Sequence, residues 1–447
     1  MMKFLNYFSR VFVGSLFIVS GLIKANDPLG FSYKLGEYFA ESALNLPFLE
    51  PYALLLGVLA CLAEIVLGFA VIFGGKMPLA TWSLLGLTLF FGWLTFYTAT
   101  CDPQGTYTII ENGEKITRTV TCVTDCGCFG DALKGSLGRS LTPWESFSKD
   151  MVLLVFIIPL FWNRNKIKVN DFSHDVILFP FSFLSVLFFS WVFSWYFPVV
   201  FFSIGYGLFL IIRKTTETVK TEWFTAIAMS LISCIFIYYC YTYLPIRDYR
   251  PFAMGKSIPE QIHLPEGAEP DQYETILTYK NSISGEIKDF TATNYPWEDS
   301  TWVWQNTENK LIKKGYEPPI HDFNLIASDG SEYTEDLLNE EFVFLLIAYD
   351  INKSNKKVQA KINTFAEAAN NAGIYFYGVS ASLYEDVEKF RHENQSMFEY
   401  LSCDETTLKT IIRSNPGLIL LKKGVVSGKW HYNNFPEFEN VKEKILK

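Results

Sequence analysis

Lys and Arg nowhere cluster in this chain, and at 38 against 47 Asp and Glu they leave a net charge of −9. Nucleic-acid binding needs grouped cations to neutralise phosphates, so that class of partner is excluded. Histidine is scarce. The five histidines, His174, His263, His321, His392 and His431, are scattered and mark neither a metal cluster nor a Cys/His pair. None of the eight cysteines forms the C-x2-C pair that makes a zinc knuckle a strong reading.

What the chain has in abundance is apolar surface. Its residues are 49% hydrophobic and 17% aromatic, rich for a soluble protein of 447 residues. The distribution is uneven: up to about Tyr243 long apolar runs alternate with short polar loops, whereas from Pro245 onward the sequence is polar and charged. This reads as a membrane half followed by a soluble half.

Crossing about 30 Å of hydrocarbon takes roughly 20 apolar residues. Candidate spans are 4–24, 52–74, 79–100, 149–162, 175–195, 197–212 and 223–244, of which 149–162 and 197–212 are short enough to thin the bilayer or re-enter. The first is readable instead as a cleaved signal peptide, but it lacks the A-x-A pattern of a processing site. Lys3, Arg10, Lys76, Arg164, Lys166, Lys168, Arg213, Lys214 and Lys220 fall on one side of a seven-span arrangement, which marks that side as cytoplasmic. The loops 26–50 and 101–147 and everything after 244 then lie outside together.

"TCVTDCGCFGD" (121–131) holds Cys122, Cys126 and Cys128, and Cys101 lies upstream in the same outer loop. Disulfides persist outside the cytosol, so all four are placed to oxidise. Two bridges would staple the loop. A small Cys126–Cys128 ring would instead be strained and suited to exchange. A zinc cage is the third reading. Sequence leaves the three pairings of four cysteines open. Cys61, Cys234 and Cys240 lie within spans as small hydrophobes, and Cys403 reads as a buried thiol.

Glu64, inside "LLGVLACLAEIVLGFAVIFGG", is costly in hydrocarbon and must face the bundle interior, either as a neutral hydrogen-bonded group or in proton or quinone chemistry. Lys24, near the outer end of its span, is expected to snorkel without a function.

"RVFVGSLFIVSGLIKANDPLGFSYKLGEYF" (10–39), the Glu64 span, "DCGCFGDALKGSLGRSLTPWESFSKD" (125–150) and "YLPIRDYRPFAMGKSIPE" (243–260) resemble the DoxX/MauE family, in its long Bacteroidota form. The resemblance implies a bacterial inner-membrane protein with a four-helix core (1–165) whose outer loop carries the cysteines. It also implies a supporting role in disulfide formation or maturation of exported proteins. Residues 170–244 add further spans.

In the soluble half, "YETILTYKNSISGEIKDFTATNYPW" reads as two strands around Ser284 and Gly285, within a β-rich linker (245–315). Residues 316–447 alternate strand and helix: "FVFLLIAY", "KVQAKINTFAEAANNAG" closed by Gly373, "IYFYGVS", "EDVEKFRHEN" and the hairpin "GLILLKKGVVSGKWHY". This order resembles a thioredoxin-like fold, with Pro416 the candidate cis-proline. The place of the redox pair reads "YDINKSNKK" (349–357), without cysteine.

The expected protein is a helical membrane bundle followed by an extracytoplasmic thioredoxin-like α/β domain lacking its dithiol. One functional expectation is thiol–disulfide exchange through Cys126 and Cys128, with Cys101 and Cys122 relaying or stapling and a quinone taking electrons. The other is a non-catalytic anchor whose soluble domain recruits an exported or envelope protein.

Overall fold

A computed structural model describes residues 2–446, other than 103–104, 112–113, 124–126, 264, 266, 268, 270–271, 314 and 317. The membrane half runs α1 (Met2–Asn26), α2 (Pro28–Phe39), α3 (Ala53–Phe73), α4 (Met77–Thr100), a hairpin of β1 (Thr106–Glu111) and β2 (Glu114–Thr119), α5 (Ala132–Leu137), α6 (Pro143–Trp162), α7 (Phe172–Val192), α8 (Phe197–Thr215) and α9 (Thr218–Thr242). Among the described residues, six stretches are long and apolar enough to cross a membrane, those of α1, α3, α4, α7, α8 and α9. The chain is a multi-pass membrane protein, with the lipid bilayer as its first partner.

α6 accounts for the difference from the expected seven. At 20 residues it has the length of a span, but Glu145, Lys149 and Asp150 sit in its first half. It begins well before the expected residue 149 because Thr142 and Glu145 form a reciprocal capping box behind Pro143. α8 is likewise longer than expected, at 19 residues. α2 and the β1–β2 hairpin lie in segments expected to be loops.

α1 is the most enclosed span, packed against α3, α6 and α7. Its approach to α3 depends on Gly21, where a Cβ would come within 2.8 Å of Ile65 and 3.0 Å of the Glu64 side chain. α4 packs on α6 to complete a four-helix core, and α7, α8 and α9 cover the other flank. At the end of the bundle where α3 stops, buried Arg10 donates to the carbonyls of Val71 (2.9 Å) and Ile72 (2.7 Å) and to Asn170 Oδ1 (2.6 Å), satisfying helix-terminal acceptors.

The soluble half begins with α10 (Ile258–Ile262) and a three-stranded antiparallel sheet, β3 (Gln272–Asn281), β4 (Ile287–Thr291) and β5 (Trp302–Lys313), in the order β4-β3-β5. Two of these strands were expected; β5 was not. There follow α11 (Thr334–Asn339), β6 (Val343–Ile347), α12 (Gln359–Asn371), β7 (Tyr375–Ser380), α13 (Tyr384–Asn394), β8 (Tyr400–Ser402), α14 (Glu405–Ile411), β9 (Gly417–Lys422), β10 (Val425–His431) and α15 (Phe438–Lys444). Their sheet has the order β10-β9-β6-β7-β8, with β6, β7 and β8 parallel and β9 and β10 antiparallel. β6 is buried on both faces, as its unbroken apolar run demands. Phe344 and Leu346 pack with Phe365 of α12, while Leu345 and Ile347 pack with Leu408 of α14. The Asn415–Pro416 bond is cis, at the start of β9. This is a thioredoxin-like fold. The exposed edge of β10 is covered by the linker, whose Gly255 and Ile258 N–H groups donate to Val426 and Gly424 at 2.8 and 2.9 Å.

Candidate functional site

The cysteine loop folds onto the end of the bundle that faces the soluble domain. Cys101, capping α4, is bridged to Cys122 with a Cα–Cα distance of 5.8 Å. That pair ties the segment after the hairpin to the helix it left. Cys126 lies outside the described residues. Cys128 is buried, and its carbonyl accepts from Ser20 Oγ of α1 at 3.4 Å. Gly127 makes this entry possible: its φ is +63°, and a Cβ there would meet Lys34 Cγ at 2.7 Å. Phe129 then packs against Phe193, the rings tilted by 44° with centroids 5.0 Å apart.

Beneath the loop lies a set of charges inside the bundle. Lys24 is not the snorkelling side chain expected from its position. It is 5% exposed and paired with Glu64, itself 3% exposed, because Gly21 brings α1 so close to α3 at this level. Lys24 Nζ also donates to Ser20 Oγ (3.2 Å) and lies 4.9 Å from the Phe91 ring centroid. From α6, Asp150 is paired with Lys149 and accepts from Thr95 Oγ1 at 3.1 Å. A cavity of about 30 Å³ is walled by Ser20, Lys24, Glu64, Thr88, Cys128 and Asp150 among others. Glu64 Oε2 and Thr88 Oγ1 are buried there without a hydrogen-bond partner.

Above it, a second cavity of about 680 Å³ separates the bundle from the soluble domain. Lys24, Asp27, Tyr33 and Gly127 line one side, the segment Arg247 to Arg250 another, and Lys409 and Arg413 the roof. Lys24 and Phe129 belong to the walls of both cavities.

The roof is bonded to the floor. Asp27 caps α2 by accepting from Gly30 N–H (2.9 Å) and also receives Arg413 Nε from the soluble domain. Burial pushes the Asp27 carboxyl up, but Arg413 and Arg250 outweigh it and hold it below the ordinary range. Tyr33 of α2 and Tyr349 at the end of β6 share a hydrogen bond of 3.2 Å, and burial pushes both phenols up. Arg250 grips Asp248 through Nε (2.7 Å) and Nη2 (2.9 Å), and donates to the Thr410 carbonyl at 3.1 Å. Lys429 reaches Asp248 at 2.7 Å; burial and the neighbouring Arg250 push this amine down to about 8 against the pull of Asp248.

Residues 2–103 match the family model of the methylamine utilisation protein MauE. The start of the bundle is MauE-like. The match includes Lys24, Glu64 and Cys101 but stops short of Cys122, Cys126 and Cys128. Residues 273–314, essentially the three-stranded sheet, match Domain of unknown function (DUF8463). No curated protein matches the chain. Solved structures similar to it include a thiol:disulfide interchange protein from Bacteroides sp. at 17% identity, covering 28% of this chain and 86% of that one with a TM-score of 0.24. Another is the thioredoxin domain of a thiol-disulfide oxidoreductase from Bacteroides vulgatus at 18% identity, covering 28% and 94% with a TM-score of 0.24.

Of the residues singled out in the sequence, the MauE-like bundle brings Glu64 and Cys128 to one cavity and bridges Cys101 to Cys122 at the loop's base. Among the described residues no group of His, Cys, Asp and Glu is placed to hold a metal. Cys61 and Cys240 are buried, Cys234 faces outward, and Cys403 is buried, with its thiol pushed up to about 12 by desolvation. Sequence reasoning missed Lys149, Asp150 and the Asp27–Arg413 contact. Asp150 carried a readable signal, a carboxylate at the mouth of an apolar run. The pairings of Asp27 with Arg413 and of Lys24 with Glu64 carried none.

Proposed function

We propose that this protein is a membrane component of thiol–disulfide exchange serving exported proteins, with Cys126 and Cys128 as the exchanging pair and Cys101–Cys122 as a staple. The supporting observation is the division of labour among the cysteines. Cys101 and Cys122 are bridged to each other, and Cys128 is buried in the wall of a cavity that Lys24 and Glu64 also line, an environment a loop staple does not require. The Cys128 thiolate attacks a partner's disulfide, the partner's leaving sulfur takes a proton, and Cys126 resolves the mixed disulfide. The partner ends as a dithiol and Cys126–Cys128 as a disulfide; the reverse direction oxidises the partner. The loop and the soluble domain share one side of the bundle, and the positive-inside pattern supports assigning that side to the periplasm of an inner-membrane protein.

A quinone does not fit beside Cys128. The cavity there is about 30 Å³, far below the roughly 300 Å³ of small-ligand pockets, so no step is routed through one.

A second reading, an anchoring subunit without chemistry, draws on Tyr33 and Tyr349: the place where a thioredoxin carries its dithiol is cysteine-free here and turned against α2. Acid trapping and alkylation of exported proteins in cells separate the two. With C126S/C128S, thiols of exported proteins are expected to change their oxidation state while the chain keeps its abundance. Unchanged thiols at normal abundance would leave the anchoring role.

A further inference from the structure

We propose that Glu64 is the proton acceptor for the Cys128 thiol, and that Lys24 carries the proton on to the outer cavity. This rests on the exchange reading above, but concerns how the sulfur is activated inside a membrane.

A buried thiol becomes a nucleophile only by losing its proton, and bulk water is not at hand to take it. Among the described residues, the titratable groups around Glu64 are Lys24 of α1, Cys61 one turn away on α3, Cys128 of the loop, and Lys149 and Asp150 of α6. Of the two carboxylates, Asp150 has both oxygens engaged, one by Lys149 and one by Thr95. Glu64 has one oxygen held by Lys24, while Oε2 is buried without a partner in the wall shared with Cys128. The cavity between them, about 30 Å³, has room for about one or two waters, so transfer can run directly or through water. The proton leaves sulfur for Glu64 Oε2. Lys24, which is ion-paired with Glu64 and lines both cavities, releases one proton outward and regains one from Glu64. Charge is conserved at each step, and the pair returns to its starting state.

The test is the rate at which Cys128 reacts with a small aromatic disulfide, measured against pH in reduced, reconstituted full-length protein carrying C126S, with peptide-resolved mass spectrometry. The two possible roles of Glu64 predict opposite signs. If Glu64 takes the proton, E64Q slows the reaction at pH 7 by about 10² or more, the lower end of what a positioned base contributes, and the residual rate rises steeply with pH. E64D restores part of the rate. If Glu64 only balances Lys24, E64Q leaves Lys24 unpaired beside the sulfur, favours the thiolate and makes the reaction as fast or faster, which overturns the proposal. Should E64Q fail to fold, K24Q/E64Q removes both charges together and avoids an orphaned ion. It too is expected to be slow; a rate equal to the parent overturns the proposal. The reagent needs no biological partner, so a normal E64Q effect with unchanged exported thiols in C126S/C128S cells would reject the exchange function alone.

Discussion

Arg413 Nε lies 3.0 Å from both carboxylate oxygens of Asp27, a contact spanning 386 residues of sequence and joining the soluble domain to the C-terminal end of α1. It fixes the height of the roof over the cysteine loop.

Removing Arg413 leaves the largely enclosed Asp27 carboxylate with only the Gly30 N–H and the nearby Arg250, a loss that for fully buried pairs reaches about 3–5 kcal/mol. R413Q is therefore expected to loosen the interface, seen as faster hydrogen exchange in 405–416 and protease cleavage near Pro245, with D27N/R413Q milder than R413Q. Because the Asp27 carboxyl titrates below its ordinary value, its contribution is present above about pH 4 and disappears as pH falls through the depressed value. Docking that weakens already at pH 6 would contradict this.

His431 is buried at the end of β10, its Nδ1 accepting from Asn433 N–H at 3.1 Å, and burial pushes it down from 6.5 to about 4. In that window the unfolded chain binds the proton and the folded one does not, so stability declines as pH falls from about 6.5 to about 4. Thermal midpoints taken across this range should drop for the parent and flatten for H431Q.

The Cys101–Cys122 bridge closes a loop of 21 residues in sequence separation. Native disulfides of this kind contribute about 2–4 kcal/mol. C101S/C122S is expected to lower the thermal midpoint in detergent while leaving the reactivity of Cys128 with small disulfides close to that of the parent.

Gly21 is the contact point that brings Lys24 to Glu64. G21L inserts a side chain where a Cβ already comes within 2.8 Å of Ile65, at a cost of about 1–3 kcal/mol. Spreading α1 from α3 should also slow the Cys128 reaction, because the charges separate; a destabilised variant with unaltered kinetics would argue against that link.

The spans were legible because twenty-odd apolar residues have few other uses, and Pro416 because "SNPGLILL" sets a proline before a buried strand. α2 escaped because "PLGFSYKLGEYF" is short and mixed. The β1–β2 hairpin escaped because "TYTIIENGEKITRT" alternates only weakly between apolar and polar residues, although its Asn-Gly is a hairpin-turn signal. The start of α6 was readable in "TPWE", a capping signature four residues long, but the apolar run beginning at Met151 drew the boundary inward. Glu64 and Cys128 could be named from sequence as chemistry-bearing residues. Their sharing of one cavity could not, since it depends on Gly127 letting the loop enter the end of the bundle. The fate of Lys24 was misread because an end-of-span lysine usually reaches water, and only the close approach of α3 supplies a nearer partner.

The three-stranded sheet β4-β3-β5 is attached to the soluble domain at a narrow base. Ile320 N–H donates to the Gln261 carbonyl at 3.2 Å, so the chain departs from the soluble domain at the end of α10 and returns beside its own exit. Everything between, including β3, β4 and β5, hangs from a closed stem. Such a segment is a detachable cassette: a few flexible residues could replace it at little entropic cost, leaving the roof, the two cavities and the cysteines in place.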